Sequence, residues 1–110
     1  IAVSGALTIG KGGIQEQGTA RASLLIASRD CADAHVDLYG DSNYSGPTIV
    51  ARGGSLHAHT NNALSSVSKT LVGQLGSINI EGSQEIERLL IRKKGEFIGG
   101  GDSKLTTKSI

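Results

Sequence analysis

A chain of 110 residues holds at most one ordinary domain. Its 11 Lys plus Arg against 10 Asp plus Glu, net +1, give no bulk electrostatic reason to bind nucleic acid or an anionic membrane. The single cysteine, Cys31, excludes an intrachain disulfide and a multi-cysteine zinc site, and no apolar run approaches the roughly 18 residues of a membrane-spanning helix.

The apolar runs are short, often β-branched, and separated by Gly, Ser, Asn and Asp, which predicts an all-β fold. In chain order the expected strands are Ala6 to Ile9, Ala22 to Ser28, His35 to Tyr39, Thr48 to Ala51, Val67 to Val72, Ser77 to Ile80, Arg88 to Arg92 and Glu96 to Ile98. Gly12-Gly13, Gly53-Gly54 and Gly99-Gly100-Gly101 supply the turns, and Pro47 opens a strand. Between Ser83 and Lys93 a helix competes, because Ile86, Leu89 and Leu90 share a helical face behind a Ser83 cap. A hairpin is preferred there, with Leu89 to Arg92 turning at Lys93-Lys94-Gly95 into Glu96 to Ile98.

A loose repeat joins an apolar strand to a basic turn at Leu24 to Arg29, Thr48 to Gly54 and Leu89 to Gly95. Its uneven intervals argue against a fixed-period solenoid and for an elongated assembly of hairpins. Glycine is abundant at 16 residues while aromatics are only 3%, so large core-filling rings are scarce. Burial of each chain against two neighbours is therefore expected, and trimerisation also hides strand edges. The start, IAVSGALTIG, has neither Met nor a basic n-region, so residues 1–110 read as one stalk or binding module, a fragment of a larger chain.

Few motifs carry chemistry. Gly5 to Lys11 fits the opening of a phosphate-binding loop, but Gly12 stands where Ser or Thr must hold Mg²⁺. Cys31 and His35 lie four apart, and His57 and His59 alternate on one side of a strand or turn. No third ligand at metal-binding spacing completes either pair, and no Ser–His or Cys–His pair has an orienting partner. No metal, cofactor or catalytic residue is expected. His35, Asp37, Tyr39, Tyr44, Arg52, His57 and His59 form the only cluster rich in both aromatic and polar groups. Such mixtures suit sugars, with rings packing on a pyranose and Arg gripping a carboxylate in two places. The expected ligand residues are His35, Tyr39, Tyr44, Arg52, His57 and His59, although Tyr39 and Tyr44 are equally the natural packing rings of an aromatic-poor chain.

Two resemblances follow. Val36 to Gly46, VDLYGDSNYSG, resembles the Y-x-x-x-x-Y-x-G hairpin of βγ-crystallins, and Asn61 to Ser66 is similar to their calcium clamp. That likeness implies a calcium-binding Greek-key sandwich, although neither flank repeats the hairpin or the clamp. The wider resemblance is to the C-terminal stalk regions of tailed-phage tail fibres and tailspikes, including those of endosialidases. It rests on Ser4 to Gly10, Asp33 to Gly40 and Glu87 to Gly99, leading to Leu105 to Ser109. It implies an elongated, intertwined homotrimer, a β-prism or triple β-helix stalk, often trimmed at a Ser such as Ser109. The expected function is a non-catalytic trimeric stalk on a virion, supporting assembly and binding an acidic capsule polysaccharide such as polysialic acid. Any endosialidase centre would lie elsewhere in the parent chain.

Overall fold

The computed structural model describes residues 2–3, 6–10, 12–16, 21–27, 34–100 and 103–109; Gly5, Lys11 and Cys31, and with them the phosphate-loop and Cys31–His35 comparisons, lie outside the described residues. Among the described residues eleven strands follow one another: β1 (Ala2–Val3), β2 (Ala6–Ile9), β3 (Leu24–Ala27), β4 (Ala34–Leu38), β5 (Thr48–Ala51), β6 (Gly54–Ala58), β7 (Lys69–Val72), β8 (Ser77–Ile80), β9 (Ser83–Ile91), β10 (Glu96–Gly99) and β11 (Lys104–Ser109). The odd-numbered strands form a six-stranded sheet in the order β1-β3-β5-β7-β9-β11, and the even-numbered strands a five-stranded sheet in the order β10-β8-β6-β4-β2. Every strand pairing is parallel. The chain alternates between the sheets as it climbs, which makes a β-solenoid of about four turns, all-β and with no helix among the described residues.

Stacking explains how so few rings suffice. Residues one turn apart lie over one another, so a single aliphatic side chain per turn continues a column. Val36, Leu56 and Ile78 make one such column, Leu38, Ala58 and Ile80 a second, and Ile26, Val50 and Val72 a third, all at most 3% exposed. The loops close the remaining side of the core with Tyr44, Ala63 and Leu64, and β9 supplies Gln84 and Ile86. The interior thus closes within one chain, and the shortage of rings does not require shared burial between chains.

Three expectations are corrected. First, the repeat is a solenoid: Leu25 lies over Ile49, Ile49 over Leu71 and Leu71 over Leu90, offsets of 24, 22 and 19 residues. The irregularity sits in the loops, which absorb inserted residues while the strands keep register; residues 39–47 join β4 to β5, whereas only residues 81–82 join β8 to β9. Second, β9 and β10 are not a hairpin. β9 pairs with β7 and β11, while β10 pairs with β8 in the other sheet, because the turn at residues 92–95 is a corner between sheets. Third, parallel pairing between all the described strands, with one isolated antiparallel bridge from Gly12 to Gly40 outside them, overturns the Greek-key alternative, which needs antiparallel strands. Its clamp is a solenoid turn in which Ala63, Leu64 and Ser65 point inward and Asn61 Oδ1 accepts the Ser83 N–H at 2.8 Å.

Glycine matters where one corner rests on the next. A Cβ on Gly54 would sit 2.7 Å from the Ile26 carbonyl oxygen, and one on Gly76 would collide with the Val50 carbonyl. Inside, a hydroxyl relay ties loop to sheet: Tyr44 Oη lies 2.7 Å from Thr48 Oγ1, Thr48 Oγ1 lies 2.8 Å from Ser68 Oγ, and Ser68 donates to the Gly46 carbonyl at 2.8 Å. That last bond uses the Ser68 hydrogen, so Thr48 donates to Ser68 and Tyr44 donates to Thr48.

Candidate functional site

The five-stranded sheet turns alternate residues of β4, β6 and β8 outward, and parallel register converts that alternation into straight columns. His35, Ser55 and Ser77 form one column; Asp37, His57 and Asn79 form the next. A third continues just past the strands, where Tyr39 N donates to Ile9 O, His59 N to Leu38 O and Glu81 N to Ala58 O. Tyr39, His59 and Glu81 therefore stand one above another.

These columns form a single network. Asp37 Oδ1 accepts from His59 Nε2 at 2.7 Å and from His35 Nε2 at 3.0 Å. Glu81 Oε2 lies 3.0 Å from both His57 Nε2 and His59 Nδ1. His59 thus faces a carboxylate with each ring nitrogen, which is fully satisfied when both carry hydrogen. The rings are also fixed in place: His57 and His59 stack with centroids 3.8 Å apart, and Tyr39 stacks on His59 at 4.5 Å with planes only 6° apart. The His59 N–H holds the Asp37 carboxyl below its ordinary range, opposed by partial burial and reinforced by His35.

Ser55 Oγ lies 2.5 Å from His35 Nδ1, so Ser55, His35 and Asp37 make a hydroxyl–imidazole–carboxylate chain. With His35 Nε2–H directed at Asp37, a neutral ring accepts the Ser55 proton at Nδ1. This hydrogen-bonded chain crosses from β4 to β6 at the register partners His35 and Ser55, with Asp37 two residues further along β4.

Of the six predicted ligand residues, the structure brings together His35, Tyr39, His57 and His59. Tyr44 is elsewhere: it is 0% exposed, its hydroxyl is spent on Thr48, and burial pushes its phenol up. Arg52 is also apart, exposed at the corner before β6 whereas His59 follows that strand. Its neighbours are other corners. Arg52 N donates to Gln74 O, and residues 73–76 stack on residues 92–95, which places Lys93 under Gln74. Gln74, Arg92 and Lys93 line a depression of about 350 Å³. Sequence reasoning missed Glu81 because it reaches the histidines only through stacking; the signal was its offset of 22 residues from His59, visible only once the register is known.

The chain matches no family model, no curated protein and no solved structure.

Proposed function

We propose that the chain is a non-catalytic stalk segment of a surface fibre, of the tail-fibre or tailspike type suggested by its sequence, and that it holds an acidic polysaccharide along its basic corner. The observation that carries this reading is the alignment of Arg52, Gln74 and Lys93 on successive turns, with Arg92 and Lys94 beside them. Turns repeat at about 4.8 Å, so the cations of the first and third turns, with neutral Gln74 between them, stand roughly 10 Å apart along the stack, within reach of successive carboxylates on an acidic polymer. Guanidinium–carboxylate hydrogen bonds are charge-assisted and stronger than neutral ones.

The homotrimer takes a different form on this scaffold from three chains sharing an interior. Three closed solenoids pack side by side through the outer face of the six-stranded sheet, where Leu25, Ile49, Leu71 and Leu90 align as an outward aliphatic stripe. Leu25 and Leu90 are 41% and 46% exposed, and a groove of about 230 Å³ runs beside Ile49, Leu71 and Leu90. Three copies also raise the effective concentration for rebinding one long polymer.

The test is retention on immobilised polysialic acid, with a neutral polysaccharide as control. Replacing Arg52 and Lys93 together by Ala should weaken retention at least about tenfold, since bonds to charged groups each contribute about 1.5–3 kcal/mol. Equal retention of the variant and the wild type, or equal retention on the neutral polymer, contradicts the corner assignment. Shortening of the polymer by the wild-type chain contradicts the non-catalytic reading.

A further inference from the structure

We propose that Asp37, His57 and His59 hold a divalent ion of the zinc class on the outer face of the five-stranded sheet, a site separate from the basic corner. One donor atom from each of the three lies within 4.8 Å of the other two. A tetrahedral zinc with bonds near 2.0–2.1 Å needs donors roughly 3.3 Å apart, so the donors have at most about 1.5 Å to close, by movement of side chains whose backbone stays in place.

The backbone is already arranged for this. Asp37 and His57 are register partners on β4 and β6, and His59 follows His57 two residues later on the same face. Parallel pairing therefore fixes the three Cα positions before any ion arrives, which lowers the ordering cost of binding. The site is also reachable: the side chains of Asp37, His57 and His59 are 31%, 31% and 21% exposed.

The surrounding groups match those that orient metal-bound imidazoles. A ligating histidine usually donates its second ring N–H to a carboxylate, which sets the tautomer and ring direction. Glu81 Oε2 stands 3.0 Å from His59 Nδ1, leaving His59 Nε2 directed at Asp37 Oδ1 across 2.7 Å. An ion entering there takes the place of the shared proton, and binding releases that proton to solvent. His35 bonds the same Asp37 oxygen, and the stack of Tyr39 on His59 holds the ring plane. Two imidazoles with one carboxylate favour zinc, copper or nickel over magnesium or calcium, which prefer all-oxygen sites. Three protein ligands leave a fourth position for water or an exogenous donor.

The experiment is calorimetric titration of the chelator-treated 110-residue chain with Zn²⁺, repeated in excess Mg²⁺ and Ca²⁺. One saturable site per chain is expected, unaffected by the competing ions. His59→Ala and Asp37→Ala should each weaken it more than tenfold, and Glu81→Gln by about 10–100-fold through loss of orientation. Cys31→Ser should leave it unchanged, which separates this site from thiolate binding. X-ray absorption at the zinc edge of the wild-type chain gives a readout independent of how the variants fold, and it should show two imidazole nitrogens with oxygen completing the shell. Absence of saturable binding, retention of full affinity in His59→Ala, or a sulfur ligand in the absorption spectrum would overturn the proposal and leave the cluster as an ion-pair network alone.

Discussion

Tyr44 shows how an interior residue passes for a ligand residue in sequence, since it stands among loop-type neighbours, Asp41-Ser42-Asn43 before it and Ser45-Gly46 after it. Its ring fills the loop side of the core and its hydroxyl starts the relay through Thr48 and Ser68. Tyr44→Phe removes one neutral hydrogen bond and should cost about 0.5–1.5 kcal/mol. Tyr44→Ala empties a ring-sized volume and should cost about 3–5 kcal/mol. Urea midpoints distinguish the two, and polymer retention by the folded Tyr44→Phe variant should match the wild type. Glu16 gives a pH dependence at the same scale. Its carboxylate accepts the N–H groups of Ser45 at 2.6 Å and Ala22 at 2.7 Å, and these bonds hold its pKa below 4.5, the Ser45 amide contributing most. A carboxyl depressed in the folded state contributes stability above its unfolded pKa and loses it as pH falls through the folded value. Protection of the Ala22 and Ser45 amides in hydrogen exchange should therefore hold above about pH 4.5 and decline below it; in Glu16→Gln that decline should vanish. A decline unchanged in Glu16→Gln contradicts the assignment.

Among the elements, β9 explains both what sequence reading recovered and what it lost. Strands Ala6–Ile9, Thr48–Ala51 and Ser77–Ile80 were legible to the residue, because they are short apolar runs with a neighbouring Gly or Pro to mark their start. In β9 the inward residues are Gln84, Ile86 and then Leu89, so the alternation slips by one residue where the strand passes from the reach of β11 to that of β7. Two period-2 segments joined by such a slip imitate the three- and four-residue spacing of a helix. β6 was missed for another reason: its first residue is half of Gly53-Gly54, read as a turn, although Gly54 is a strand residue pressed against the preceding turn. Buried Gln84 bonds the Leu64 N–H through Oε1 at 3.0 Å and the Thr60 and Glu81 carbonyls through Nε2 at 2.6 and 2.9 Å. Gln84→Leu leaves those groups unpaired and should cost at least about 1–3 kcal/mol. Gly76→Ala drives a methyl into the Val50 carbonyl and should cost roughly 1–3 kcal/mol. Unchanged urea midpoints in both would contradict the described corners. In the candidate site, the alternation of His57 and His59 was legible, but the partnership with Asp37 and Glu81 depends on pairing register, which no local pattern encodes.

At the scale of the whole molecule, parallel stacking puts residues about twenty apart in contact, and the aliphatic columns, the basic corner and the histidine face all follow from it. It also leaves β1 and β2 as outer strands at one end of the two sheets and β10 and β11 at the other. The aliphatic stripe on the six-stranded sheet bears on assembly: light scattering of the wild-type chain should give the mass of three copies, and Leu71→Glu should reduce it to one without unfolding the chain. A monomeric wild type contradicts the stalk assembly while leaving the solenoid intact. The register itself is accessible to isotope-edited NMR. Interstrand contacts between backbone protons should link Ser55 with Ser77, His57 with Asn79 and Leu71 with Leu90 in the parallel pattern. Close Hα–Hα contacts between residues 88–92 and 96–98, the mark of an antiparallel hairpin, would contradict the solenoid and every column built on it.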